Sequence, residues 1–101
     1  MDVEITKVPE AGRYEAHIGE ELAGFAEYTQ TDRLVVFTHT EVEGAFEGKG
    51  VGSALARRSL NDVRGQGLHV LPLCPFYKAY IGRHPEYQDL LYHAPESEVR
   101  D

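Results

Sequence analysis

The sequence predicts a mixed α/β (α+β) protein, a mostly antiparallel sheet with helices packed on it, in the order β-β-β-α-β-α-α. Three observations predict it. Polar and apolar residues alternate from Arg13 to about Val42. The apolar period then lengthens to that of a helix from Val51 to Gln66, and a short apolar run after Gly67 returns to strand character. At 101 residues, 42% hydrophobic and 27% charged, the chain suits one globular domain and is too apolar for disorder. We expect a single domain over 1–101, with a core from about 13 to 93 and a frayed tail at 94–101.

Taken in order, "RYEAHIG" and "ELAGFAEYTQ" read as a hairpin around "GEE". "TDR" is a second turn, and "RLVVFTHTEV" continues the antiparallel meander. Strict alternation puts Leu34, Val36, Thr38, Thr40 and Val42 on one face of that strand and Val35, Phe37, His39 and Glu41 on the other. After the connector "EGAFEGKG", Leu55, Ala56, Leu60 and Val63 fall within ~140° of helical arc, opposite Arg57, Asn61 and Arg64. Gly65 and Gly67 close that helix as C-cap glycines do. "HVLPLC" is a strand whose Pro72 demands an edge or a break in the ladder. "PFYKAYIGRH" starts a short helix on its proline, and "PEYQDLLYH" makes another.

The bulk numbers exclude several function classes. A formal net charge of −7 argues against a nucleic-acid partner, whose phosphates recruit basic surfaces. One cysteine allows neither an intrachain disulfide nor a thiolate-rich metal cage, and suits a reducing cytosol. His17, His69 and His93 show no ligand spacing with Cys74, so no metal is expected. "MDVEITKVPE" does not resemble a secretory signal, and no apolar run approaches bilayer length. A cytoplasmic protein without membrane partners is the expectation, as monomer or weak dimer.

The sharpest local signal is "FEGKGVGSAL", where glycines cluster between strand and helix. Such a loop lets backbone amides approach phosphate oxygens. The Walker A template fails: Gly44 has three residues, not four, before Gly48-Lys49, and Gly50 takes the hydroxyl position. The dinucleotide template fails too, because Leu55 stands where its third glycine belongs and the preceding strand is part of a meander. A third template, Gln/Arg-x-x-Gly-x-Gly/Ala between strand and helix, is matched by Glu47-Gly48-Lys49-Gly50-Val51-Gly52 apart from Glu47. The N–H groups from Gly48 to Ser53 and the helix dipole would do the binding, with Lys49 adding a charge and Glu47 turned to solvent.

That third template is the acetyl-CoA pyrophosphate loop of the GNAT superfamily of N-acetyltransferases. "FTHTEV", "GKGVGSAL", "GLHVLPLCPFYKAYI" and "RHPEY", in this order, resemble its small YjdJ-type branch from about Tyr14 to Tyr92. The resemblance implies an acyltransferase that moves acetyl from acetyl-CoA to a primary amine, its acceptor a small molecule or a protein lysine. A CoA-binding or protein-interaction module with little turnover is the alternative. It further implies a sheet splayed beside the strand before the loop, with the pantetheine arm laid along Thr40, Glu41 and Val42 as an added strand. Pro75 and Tyr77 would complete the cofactor contacts.

Cys74 would then stand at the thioester end, either as a nucleophile or as a buried thiol. Direct attack by the amine is equally complete chemistry. It needs a base, for which His39 beside Glu41 is the candidate. Tyr80, on one face with Tyr77, is the candidate proton donor to the departing thiolate.

Overall fold

Alternation at the amino end continues further back than residue 13. In the computed structural model, which describes residues 2–93, the chain opens with β1 (Glu4–Val8), followed by a single 3-10 turn at Pro9–Ala11. Ile5 turns inward against the core and pairs with Ala16, while Glu4 and Thr6 are exposed. The expected start of the core at residue 13 therefore lies inside the sheet, and one strand is added to the expected order. The tail expected at 94–101 lies outside the described residues.

β2 (Arg13–Ile18), β3 (Glu21–Gln30) and β4 (Leu34–Val42) form the meander, and β5 (His69–Pro72) joins β4 in parallel. Sheet order is β1-β2-β3-β4-β5, so β5 is an edge strand. Its last residue is Pro72, paired with Phe37, as a proline without an N–H requires. The chain after Leu90 returns to that edge, where Tyr92 N–H donates to Val70 C=O at 2.8 Å.

α1 (Val51–Gln66) buries Val51, Leu55, Ala56, Ser59, Leu60 and Val63 against the sheet. It passes through Gly65 and ends at Gly67, whose φ of 71° lets it cap the carbonyls of the last turn. α2 (Pro75–Arg83) packs beside it on the same face: Tyr77 stacks on Phe37 of β4 at 4.1 Å and shares a 2.7 Å hydrogen bond with Ser59 of α1. The last expected helix is a 3-10 helix, Pro85–Leu90. Arg64 pins it to α1 through a forked pair with Asp89 and a bond to Glu86 C=O. Among the described residues no helix covers the opposite face of the sheet, and no helix is long and apolar enough to cross a membrane.

One irregularity decides what β4 presents. Glu27 pairs with His39 but Tyr28 with Phe37, so Thr38 is an extra residue, a β-bulge. Val35 and Phe37 are buried under the helices, yet beyond the bulge it is Thr40 and Val42 that turn inward, and His39 and Glu41 that face out. The expected grouping of His39 and Glu41 with Val35 and Phe37 is corrected accordingly. A one-residue insertion exchanges the faces of everything after it.

Candidate functional site

The bulge also frees an edge. Pairing between β4 and β5 stops at Phe37–Pro72, and the next link is Cys74 N–H donating to Phe37 C=O at 2.9 Å. The chain then leaves the sheet into α2. On β4, Glu43 N–H donates to Ala23 C=O at 2.8 Å, and Glu41 C=O lies against Gly24 of β3. Backbone groups alternate along a strand, so those of Thr40 and Val42 point away from β3, to the side that β5 has vacated. A strand with unpaired N–H and C=O groups is a template for an extended ligand.

At the far end of this edge lies the glycine loop. Gly44–Phe46 form a 3-10 turn, and Gly48 and Gly50 have φ of 79° and 81°, a region costly for side-chain-bearing residues. Gly50 is the N-cap of α1 and supplies no side chain to the helix, so the N–H groups of its first turn stay available while the helix dipole adds partial positive charge there. No acidic residue occupies that turn. Glu47 and Lys49 are exposed. A groove of about 350 Å³ runs over the loop, lined by Val42, Phe46, Glu47, Gly48, Gly50, Val51, Gly52, Ser53 and Phe76. Of the expected loop residues, Gly48, Gly50, Val51, Gly52 and Ser53 line this groove together with Val42, while Lys49 lines a neighbouring one.

Sequence reasoning missed the two aromatic walls. Phe76 of α2 packs so closely on Gly52 that a Cβ there would come within 2.9 Å of its ring. The glycine is needed as much for helix–helix approach as for a ligand. A phenylalanine two residues after the cysteine and a glycine in the first turn of α1 carried that information only once the topology placed them side by side.

At the other end of the open edge is Cys74, the N-cap of α2 and 3% exposed. Its thiol donates to Thr40 Oγ1 at 3.3 Å. Thr40 and Cys74, both singled out from sequence, are therefore neighbours. His39 and Glu41 are paired to each other on the uncovered face, Nε2 to Oε2 at 2.7 Å, with the His39 ring near Phe25. Both are about half exposed, at 52% and 57% of their side chains. With Nε2–H donated to Glu41, Nδ1 is left as an acceptor.

The two tyrosines do not reach this site. Tyr77 is fully buried, its ring stacked on Phe37 and its hydroxyl engaged by Ser59, and burial pushes its pKa well above the ordinary value. Tyr80 lies under His84, with ring centroids 3.8 Å apart, and its hydroxyl faces Arg57 of α1; burial raises its pKa too. Core packing takes both side chains because α2 needs an apolar face against α1 and β4. Pro75 is exposed at the start of α2. Among the described residues no group of three His, Cys, Asp or Glu side chains converges as a metal site would require.

An uncapped helix amino end, an unpaired strand edge leading from it and a thiol at the far end follow one another along β4. The family model for GCN5-related N-acetyltransferases matches residues 13–90, and the chain belongs to that family. Among solved structures, a GCN5-like putative N-acetyltransferase from Staphylococcus aureus superposes with a TM-score of 0.69 at 19% identity, over 97% of this chain and 96% of the other. Ribosomal-protein-alanine N-acetyltransferase from Brucella melitensis biovar Abortus 2308 gives 0.58 at 16%, over 88% and 67%. A predicted acetyltransferase from Clostridium acetobutylicum, solved with acetyl-CoA, gives 0.51 at 12%, over 87% and 61%. At these identities the likeness is one of fold. No curated protein sequence matches the chain.

Proposed function

We propose that this protein is a single-domain, acetyl-CoA-dependent acyltransferase that moves the acetyl group to a primary amine. The observation that carries the reading is the continuity of the open β4 edge, from the uncapped amino end of α1 to Cys74. The fit to the donor is chemical. The N–H groups of Val51, Gly52 and Ser53 suit a diphosphate, with Lys49 adding charge. The unpaired backbone of Thr40 and Val42 suits the amides of a pantetheine arm, which would lie against Phe76 and Phe46. Bound there, the donor supplies an activated acetyl group as its thioester.

The residues of the chain then act on the acceptor. Glu41 holds His39 through Nε2, and Nδ1 takes a proton from the incoming ammonium, leaving a free amine to attack the carbonyl carbon. The His39–Glu41 pair lies on the uncovered face, which leaves the acceptor an open approach. Cys74 S–H, bonded to Thr40, lies near the expected position of the departing sulfur. A covalent relay is the second reading, favoured by the placement of Cys74 Sγ beside Thr40 Oγ1 at the open edge of β4. In that route Sγ displaces the CoA thiolate and the amine then displaces Sγ from the acetyl-cysteine.

Thiol release from acetyl-CoA with a panel of polyamines and lysine peptides tests the proposal. Wild type is set against His39→Ala and Cys74→Ala, with intact-mass detection of an acetylated enzyme. Direct transfer predicts a fall in turnover of about 100-fold or more for His39→Ala and no +acetyl mass. The covalent relay predicts an acetyl adduct lost in Cys74→Ala. Binding of acetyl-CoA with no turnover on any amine would reduce the protein to a CoA-binding module.

A further inference from the structure

We infer that a second groove, on the flank of α1 beside the glycine loop, receives the 3′-phosphate of coenzyme A through Arg57 and Lys49, so that the protein distinguishes coenzyme A from its dephospho form. The inference rests on the acetyl-CoA reading and extends it to Arg57, a residue that helical periodicity places on the solvent face.

This groove has a volume of about 500 Å³ and is lined by Asp2, Val3, Lys49, Gly50, Ser53, Ala54 and Arg57. It shares Gly50 and Ser53 with the groove over the loop. A ligand with its diphosphate at the amino end of α1 therefore has its next portion beside this second groove. Arg57 stands one turn beyond Ser53, so the two share a helix face.

Two cations meet in this groove. The chain carries 17 Asp and Glu against 10 Lys and Arg, and four of its cations are already engaged. Arg13 pairs with Glu15, Arg58 with Asp62 and Arg64 with Asp89, while Lys7 lies over the rings of Tyr14 and Tyr28. Among the described residues, Arg33, Lys49, Arg57, Lys78 and Arg83 have no carboxylate partner, and of these Lys49 and Arg57 line the same groove. Asp2 is the single acid there. The Tyr80 hydroxyl lies near the Arg57 guanidinium. A phosphate monoester is close to a dianion near neutral pH, and a guanidinium matches it in a two-point fork.

Calorimetric titration of wild type and Arg57→Gln with coenzyme A, 3′-dephospho-coenzyme A and adenosine 3′,5′-bisphosphate tests the inference. Wild type is expected to bind coenzyme A about ten-fold more tightly than the dephospho form, the scale of one charge-assisted contact. Arg57→Gln should lose that preference while holding the dephospho form within about two-fold, which also reports an intact fold. Arg57→Lys should keep part of it. Equal wild-type affinity for both forms, or equal losses on both in Arg57→Gln, overturns the inference and leaves the acetyl-CoA reading standing. Binding of adenosine 3′,5′-bisphosphate alone, or of no form at all, overturns both.

Discussion

Replacing Gly24 by alanine tests whether the open edge of β4 depends on the packing behind it. Gly24 pairs with Val42 near the end of β4, and a Cβ on it would lie 2.6 Å from Glu41 C=O and 3.1 Å from Val51 Cγ1, well inside the 3.4 Å at which ordinary contact begins. The obstruction is backbone, so relief requires β4 to move away from β3. Overpacking of this kind costs about 1–3 kcal/mol. For a domain of this size each kcal/mol lowers Tm by roughly 4–8 °C, so Gly24→Ala should melt about 5–20 °C below wild type. Gly44→Ala is the control: no atom lies within 4 Å of its Cβ and its φ is not positive, so its effect should stay within about 0.5 kcal/mol. The displaced segment carries Thr40 and Val42, and acetyl-CoA affinity should fall in Gly24→Ala alone. Thermal melts of the two variants within 2 °C of each other would refute the packing argument. A lowered Tm with unchanged affinity would refute the link from packing to ligand.

Two further outcomes follow from buried hydroxyls and the buried thiol. Tyr14, desolvated and bonded to Asp62 at 3.0 Å, and Tyr77, desolvated in the core, both have pKa values raised above the ordinary 10.0. Their contribution to stability is complete below pH 10 and is lost above it, as the unfolded state ionises first. Stability should stay level to about pH 9.5 and then fall by about 2.7 kcal/mol per pH unit for the two groups together. Melts from pH 8 to 11 measure this, and a curve flat to pH 11 would contradict it. Cys74, 3% exposed, should react with iodoacetamide far more slowly than a free thiol, and acetyl-CoA should slow it further; ligand-independent labelling measured by mass spectrometry would remove the thiol from the donor groove.

Much of this architecture was legible in the residues. The meander, α1 over Val51–Gln66, the edge position of β5 and the start of α2 at its proline all follow from period, turn residues and proline chemistry. β1 was not, because "EITKV" is too short and too charged to stand out until Ala16 and Tyr14 offer it partners. The bulge at Thr38 was not either: "FTHTEV" alternates without interruption, and only pairing with β3 reveals the extra residue. That single hidden feature turned Thr40 toward Cys74 and His39 away from it. The loop was readable as far as its amides, since glycine spacing records backbone conformation. Its walls were not, because Phe46 and Phe76 meet there only through tertiary packing. The burial of Tyr77 and Tyr80 was not legible for a related reason, as helical spacing tells which residues share a side but not what that side packs against.

The extra residue in the middle of β4 gives that strand a parity. Excising Thr38 alone would remove the bulge and leave His39, Thr40, Glu41 and Val42 against the same partners on β3, each looking the way it does now. Excising one further residue between Phe37 and Thr40 would send the side chains that follow to the opposite face, turning Thr40 out of reach of the sulfur unless β3 shifts in compensation. The separation between the proton-handling side and the sulfur side of the molecule is written in a count of residues as much as in their chemistry.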